Sequence, residues 1–386
     1  MIVTDPRGVQ ARHVFGNRWR VNEGQLLQLD EGWNGSTALR TTSSRHRLPA
    51  GQAYPEQFGT LLTECNDHLS ARHRPQDRRV TTVQGSKFTW QVDESAAGFD
   101  ALARPLRVRR FSSLGHDRTD VTGYADNRSL WVMGQLASLT EAATGLQVER
   151  HDYDPVSATW RASHAFGKLQ EAFTYHTDGT LASVSDPAGR LTALARDRRG
   201  KPQQLGHPDG TSESQVVDNL GNIKPRINAA GTTSTYDHDA MGRIRTVVHP
   251  NEPGLAYHPA TITFEQIAFD ELGLAAGHWR QTVASGNART VRYFDALWRE
   301  RIVKRFDAAN PALTTGVVET RHDADGRKTF SSYPQRSLAA VDLGSTTGTA
   351  WEHDALGRPW RQVQHSELGP LTTTTEWPAV TLSAGS

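Results

Sequence analysis

The feature that most constrains this chain is a glycine that returns at a nearly fixed step. Gly167, Gly179, Gly189, Gly200, Gly210, Gly221, Gly231 and Gly242 follow one another at gaps of 12, 10, 11, 10, 11, 10 and 11 residues. Three positions before several of them stands an aspartate: Asp186 before Gly189, Asp197 before Gly200, Asp218 before Gly221 and Asp239 before Gly242. The pattern continues at looser spacing with Asp270 and Gly273, Asp323 and Gly326, and Asp354 and Gly357. "YFDALWRE" keeps Asp295 but puts Trp298 in the glycine slot, and "GFDALARPLRV" keeps Asp100 with Ala103 there. A basic or amide residue often follows the glycine, as at Arg190, Lys201, Asn222, Arg243, Arg327 and Arg358.

A step of ten or eleven residues suits one short strand plus one turn. It is too short for helix–turn–helix repeats, which need about 34 residues. Six or seven strand residues at about 3.3 Å each span roughly 20 Å, and the other four make the turn. Aspartate at the first turn position accepts hydrogen bonds from nearby main-chain N–H groups, and glycine at the fourth tolerates positive φ. The stretches between turns alternate as strands do. "KLQEAFTY" puts Leu169, Phe173 and Tyr175 on one face, with Glu171 the exception; "RIRTVVHP" puts Ile244, Thr246 and Val248 there. In "NIKPRI", Pro225 predicts an edge or a bulge. A lone hairpin cannot bury its own face, but a series side by side can. The expected fold is all-β, a tandem array of hairpins.

These residues carry a family resemblance. The recurring Tyr/Phe-Asp-x-x-Gly-Arg/Asn, with "HTDGT" at His176 and "HPDGT" at His207 halfway between, resembles the YD repeat of the Rhs family. The match runs from about Tyr124 to about Gly369 and extends back to about Thr81; "GHWRQTV", "YFDALWR" and "SELGPLTTTT" are similar to bacterial Rhs-type proteins beyond the repeat. The resemblance implies one long, coiling antiparallel sheet that forms part of a hollow shell around a C-terminal toxin domain. It implies enclosure and delivery of a cargo rather than catalysis by the repeats. The partners it implies are further shell segments or a toxin domain. The Pro-x-x-x-x-Asp-Pro-x-Gly-Leu motif of bacterial Rhs cores is absent, and the chain stops at "WPAVTLSAGS". Self-cleavage and toxicity therefore do not carry over, and the chain reads as a fragment, a truncated product or one piece of a split shell. "DPAGRL" at Asp186 lies in register with the turn series and reads as a turn.

Composition narrows the function. The 43 basic and 42 acidic residues nearly cancel, so the electrostatic footprint of a nucleic-acid binder is missing. With 36 % hydrophobic residues and 33 glycines, the core is expected to be thin. Cys65 stands alone, which excludes an intrachain disulfide and a cysteine metal site. "MIVTDPRGVQARHVFG" has no signal-peptide pattern, and no apolar run is long enough for a membrane span. The expected location is cytoplasmic as synthesised, with export by a specialised secretion system as an open route.

The regular array covers residues 161–249, with a diverged β-region at 81–160, looser repeats with insertions at 250–369 and a tail at 370–386. Residues 1–80 lack registered turns. They read as irregular decoration, a diverged β-region or an out-of-frame remnant, and their low hydrophobicity predicts weak order. A helix is suggested there by Phe58, Leu61, Leu62 and Cys65 in "EQFGTLLTECNDHL". The region from Pro250 to about Phe269 reads as an inserted loop or a bulged excursion.

No zinc, phosphate-loop or nucleophile motif occurs, so no cofactor, metal or catalytic residue is assigned. His238, His322 and His353 precede the turn aspartate and read as repeat positions. Asp152 with Asp154, and Asp237 with Asp239, have turn spacing rather than that of an acid–base pair. Tryptophans such as Trp131, Trp160, Trp279, Trp298, Trp351 and Trp360 are expected to pack between strands, with stacking on a carbohydrate partner as the alternative.

Overall fold

The computed structural model of the chain describes residues 1–18, 22, 24–47, 74–337 and 347–377. Among these residues 28 strands form one long antiparallel sheet, as the glycine spacing predicts. A one-turn 3-10 helix at Ala96–Gly98 and a four-residue helix at Pro311–Thr314 are the helical segments among them. No helix of the described residues is long and apolar enough to cross a membrane.

The chain divides into two compact units. The first contains the described residues of Met1–Ala172, the turn Asp354–Arg358 and the described residues after Thr375. Its strands pair in chain order, and its longest hairpin joins Asp117–Asn127 to Val132–Glu141. Val92, Phe99, Ala103 and Val108 make its buried apolar cluster, with Trp90 against them. Charged residues are also sequestered here. Asp30 is 1 % exposed and accepts from Arg12 Nε at 2.7 Å and Thr41 Oγ1 at 2.7 Å. Asp77, fully buried, accepts from Arg45 and Arg47. A buried carboxylate is tolerable only when hydrogen-bonded in this way.

The second unit contains the described residues of Phe173–His353 together with Pro359–Thr375. Its first strands are short: Leu181–Ser185, Leu191–Ala195, Gln204–Gly206, Ser212–Val217, Ile223–Ile227, Thr233–His238 and Ile244–Val248. Each pairs with the next. Pro225 lies within Ile223–Ile227, and there the register with Ser212–Val217 shifts: Gln215 faces Arg226 but Val217 faces Ile223, which puts the extra residue in the proline's own strand, so the expected bulge is the alternative adopted. A proline has no N–H to give the ladder, and the bulge absorbs that gap. Longer strands follow at Ala260–Gln266, Trp279–Ser285, Ala288–Phe294 and Glu300–Asp307, and between them lies the unit's apolar cluster of Leu274, Val291, Tyr293, Ile302 and Val317.

Two expectations are corrected. The described part of residues 1–80 is not weakly ordered: it forms the strands Ile2–Thr4, Gln10–Phe15, Leu26–Trp33 and Arg40–His46 and the start of Gln76–Val83. Pairing with neighbours and ion pairs such as Arg12–Asp30 supply the order that low hydrophobicity left unforeseen. It contains one Asp-x-x-Gly turn, Asp5-Pro-Arg-Gly8, between the first two strands, outside the regular series. The excursion after Pro250 ends earlier than Phe269. Pro253 and Gly254 reverse the chain between Glu252 and Leu255, and Ala260–Gln266 rejoins the sheet with Thr261 opposite Thr246. The helix suggested around Phe58 to Cys65 lies outside the described residues.

Candidate functional site

The repeated turn is the most developed local structure in the molecule. At Asp239 the main-chain N–H donates to Arg243 O at 2.9 Å, and Gly242 N–H donates to Asp239 O at 3.0 Å. The side chain closes the loop from inside. Oδ1 accepts from Met241 N–H at 2.9 Å and Arg243 N–H at 3.0 Å, and Oδ2 accepts from Arg243 Nε at 2.7 Å. Gly242 sits at φ +79°, where a Cβ would be strained. One carboxylate thus satisfies two turn N–H groups and holds the arginine after the glycine. These donors, the Arg243 N–H foremost and its guanidinium next, hold the Asp239 carboxyl below its ordinary pKa.

The same clamp forms at Asp186 with Arg190, Asp323 with Arg327 and Asp354 with Arg358, at Nε–Oδ2 distances of 2.6, 2.8 and 2.8 Å. Asp218 uses Asn222 in the arginine's place, with Nδ2 at 3.3 Å. Asp100 and Asp295 build it without glycine: Ala103 and Trp298 both take φ +62°. At Asp295, Asp323 and Asp354 burial works to raise the carboxyl pKa, but the bonds from Arg299, Arg327 and Arg358 outweigh it and the pKa is lowered.

Two predicted turns differ. After Asp197 the reversal moves one residue on: Arg198 and Lys201 exchange main-chain bonds of 2.9 and 3.1 Å around Arg199 and Gly200, both at positive φ. Asp197 keeps a bond from Gly200 N–H at 3.0 Å. After Asp270, Glu271 and Leu274 exchange bonds around Leu272 and Gly273 in the same way, and Asp270 Oδ1 accepts from Ala276 N–H at 2.8 Å instead. A two-residue turn with both central φ values positive matches the twist of the flanking strands, which lets it displace the wider turn.

The sequence pattern marked the residue after the glycine without assigning it a task. The structure gives it two. Besides clamping its own aspartate, Arg299 donates through Nη1 to Asp323 O, in the next turn of the same margin, at 2.8 Å. Lys201 Nζ likewise reaches Gly221 O. In the first unit Arg104 grips Asp100 and also Asp126 Oδ1 and Oδ2 at 2.8 and 2.7 Å, which with Gly134 N–H brings the Asp126 pKa down to about 2. Hairpin tips are therefore tied to each other as well as closed. The recurrence of arginine at this position was the available signal.

Trp298 explains its own place in the glycine slot. Its ring stacks on Phe264 at 5.2 Å and 8° and on Trp279 at 5.1 Å and 22°. Phe264 and Trp279 stack on each other at 5.2 Å, and the Arg243 guanidinium lies 4.8 Å from the Phe264 centroid. Ring contacts of this kind contribute about 0.5–1.5 kcal/mol each, against about 1–2 kcal/mol for a left-handed non-glycine residue.

The residues considered for chemistry do not converge. Asp152 lies 3.1 Å from Arg150, while Asp154 caps its own turn through Val156 and Ser157 N–H. Asp237 faces Lys224 at 3.5 Å, away from the clamp of Asp239. His322 has its pKa lowered, by burial first and then by Arg299. Among the described residues no group of three His, Cys, Asp or Glu side chains could hold a metal ion. Trp160 meets His151 edge-on at 5.0 Å, and Trp131 is 80 % exposed. Among the described residues these side chains sit in turns and ion pairs, an arrangement that can shape and extend a surface.

No protein-family model matches the chain. A curated relative, double-stranded DNA deaminase toxin A of Burkholderia cenocepacia, is 27 % identical over 158 residues, which is 40 % of this chain and 11 % of that protein. Among solved structures, a TcdB2–TccC3–Cdc42 crystal structure is similar at TM-score 0.37 and 10 % identity, covering 97 % of this chain and 20 % of that one. TcdB2–TccC3 without its hypervariable C-terminal region is similar at TM-score 0.35 and 10 % identity, covering 95 % and 20 % of the two chains.

Proposed function

We propose that this chain is a non-catalytic structural segment of an Rhs-type shell, a wall that encloses and helps deliver a toxin domain lying outside these residues. The observation that carries the reading is the clamped turn. A sheet whose tips close themselves can be extended hairpin by hairpin without a deep core, which suits a wall. Strand twist accumulates over so many strands, and broad sheets curl rather than stay flat, which favours a coiled wall. The stretch resembling a DNA deaminase toxin supports an origin in a toxin-bearing chain. On this reading its partners are further shell segments or the toxin domain, and it is made in the cytoplasm and exported by a specialised route.

A β-lactamase reporter fused after Ser386 and challenged with a broad-specificity protease tests the reading. An enclosing wall keeps the reporter active longer than free β-lactamase under the same digestion. Equal rates of loss would sink it. One observation favours a second reading, a carbohydrate-binding surface: the near-parallel rings of Phe264, Trp279 and Trp298 form a platform on which a sugar ring could stack. A glycan array compared with Trp298→Ala separates the two, because the wall reading expects no bound glycan.

A further inference from the structure

We propose that the Arg199–Gly200 peptide bond is a processing site, hydrolysed by an endoprotease whose first, second and fourth subsites carry carboxylates. The string Arg-x-Arg-Arg, with arginine at the three positions such subsites read, occurs twice in the chain, at Arg107–Arg110 and at Arg196–Arg199. A carboxylate holds a guanidinium through paired, charge-assisted hydrogen bonds, so three such subsites together single out this string among ordinary basic residues. The two copies stand in opposite surroundings.

Arg107–Arg110 lies in the strand Arg107–Ser112, which pairs with Ser86–Val92 on one side and Asp117–Asn127 on the other. Val108 is buried in the first unit's apolar cluster. Arg107 lies 3.2 Å from Asp93, Arg109 grips Asp117 and Arg110 grips Asp120. An endoprotease takes up its substrate as an extended segment, so a strand already paired on both edges is closed to it.

Arg196–Arg199 lies at a hairpin tip, in the turn that has moved one residue on from the repeat's usual place. Every residue from Arg196 to Lys201 is exposed, and none from Leu191 to Gly206 is buried. The strand returning from the tip, Gln204–Gly206, has three residues, each paired with one of Leu191–Ala195. Opening this hairpin far enough to extend the tip uncovers no core, and cheap local opening is what admits a protease to a folded chain. Arg198 reaches Asn219 and Lys201 reaches Gly221 O, contacts that give way on opening. Among the described residues no group bonds to the guanidinium of Arg196 or Arg199, the side chains that enter the fourth and first subsites. Gly200 brings no side chain to the position after the cut. Lys201 precedes Pro202, whose fixed φ and missing N–H disfavour a cut there. In the reaction water adds across the Arg199–Gly200 bond. Its hydroxyl goes to the Arg199 carbonyl carbon, the C–N bond breaks, and Gly200 leaves as an amine carrying the other proton. The cut falls at the tip that Arg198 and Lys201 tie to its neighbour, so it loosens the array at one place.

Timed digestion of the folded full chain with a paired-basic endoprotease of the subtilisin class, read by mass spectrometry of the intact fragments, tests the proposal. The expected products are residues 1–199 and 200–386, formed more than about tenfold faster than any cut after Arg110. Arg196→Gln and Arg199→Gln, both at exposed positions, should each slow this cut more than about tenfold. Arg107→Gln, in the other copy of the string, should leave it unchanged. Trypsin, which reads the first subsite alone, should lose its cut after position 199 in Arg199→Gln and keep it in Arg196→Gln. A folded chain left intact at this bond, a faster cut after Arg110, or an Arg196→Gln chain cut by the paired-basic enzyme at the wild-type rate would each overturn the proposal. These outcomes concern one tip and leave the reporter-protection experiment to decide the wall.

Discussion

The stretch Leu181–Val248 and the stretch Ala260–Ser332 belong to the same sheet but are held together differently. In the first, Val217 is the one buried apolar side chain, and Leu191, Ile244 and Val248 are 49, 42 and 40 % exposed. Its order comes from tips: a clamped aspartate at Asp186, Asp218 and Asp239, and ties from one tip to the next. In the second, five side chains around Ile302 and Tyr293 form a packed cluster, and the Tyr293 hydroxyl donates to Glu271 at 2.9 Å. Burial first, and that bond second, push the Tyr293 pKa well above its ordinary value and keep the hydroxyl protonated. The more regular the repeat, the less it buries. Regular turn chemistry lets strands shorten, and short strands leave little apolar area to remove from water.

Substitutions can break this contrast, beginning with the core. Ile302, fully buried, should lose about 2–5 kcal/mol on change to alanine by urea denaturation, through lost transfer energy and the cavity left behind. Leu191→Ala, at a half-exposed site, should cost far less. Similar losses at the two positions would erase the distinction.

Next comes Trp298, where turn and packing meet. Trp298→Ala keeps the strained backbone and removes the stacked rings, and should cost about 1–2 kcal/mol. Trp298→Gly also loses the rings but relieves about 1 kcal/mol of left-handed strain, so it should be the milder change. If glycine proves worse than alanine, the φ argument is wrong.

A smaller effect is expected at the tips. Asp239→Ala removes an acceptor for two N–H groups and frees Arg243, and should lower Tm. Asp197→Ala, where the turn has moved one residue on, should lower it less. Thermal melts of the pair check whether the clamp itself stabilises.

The last effect is spread over many groups. The turn carboxylates at Asp186, Asp218, Asp239, Asp295, Asp323 and Asp354 all have folded pKa values below the ordinary one. Their contribution is fully present above the unfolded value near 4 and is lost as pH falls through the lower folded values. For Asp126 that window runs from 3.8 down to about 2. Tm should change little between neutrality and about pH 5 on account of these groups and drop below about pH 4. A variant with three turn aspartates changed to asparagine should drop less steeply. An unchanged slope would place the acid sensitivity elsewhere.

The array was legible because its signal is local. Asp-x-x-Gly specifies a reversal within five residues, and the even step between reversals leaves room only for a strand. The tip at Asp5 was equally readable but stood without neighbours in register. The displacement of the turns after Asp197 and Asp270 was not legible, since "DRRG" and "DELG" satisfy the same pattern and the choice between two-residue and four-residue reversals rests on how the flanking strands pair. The arginine's reach to the next tip, the stack that admits tryptophan into a glycine slot and ion pairs such as Arg12–Asp30 among the described residues near the start of the chain all join positions about ten to thirty-five residues apart. By itself, then, the sequence determined the class of fold and the places where the chain turns, because those depend on backbone geometry over a few residues. Only the tertiary structure decided which side chains are buried and which tips are tied, because those depend on which strands come to lie side by side.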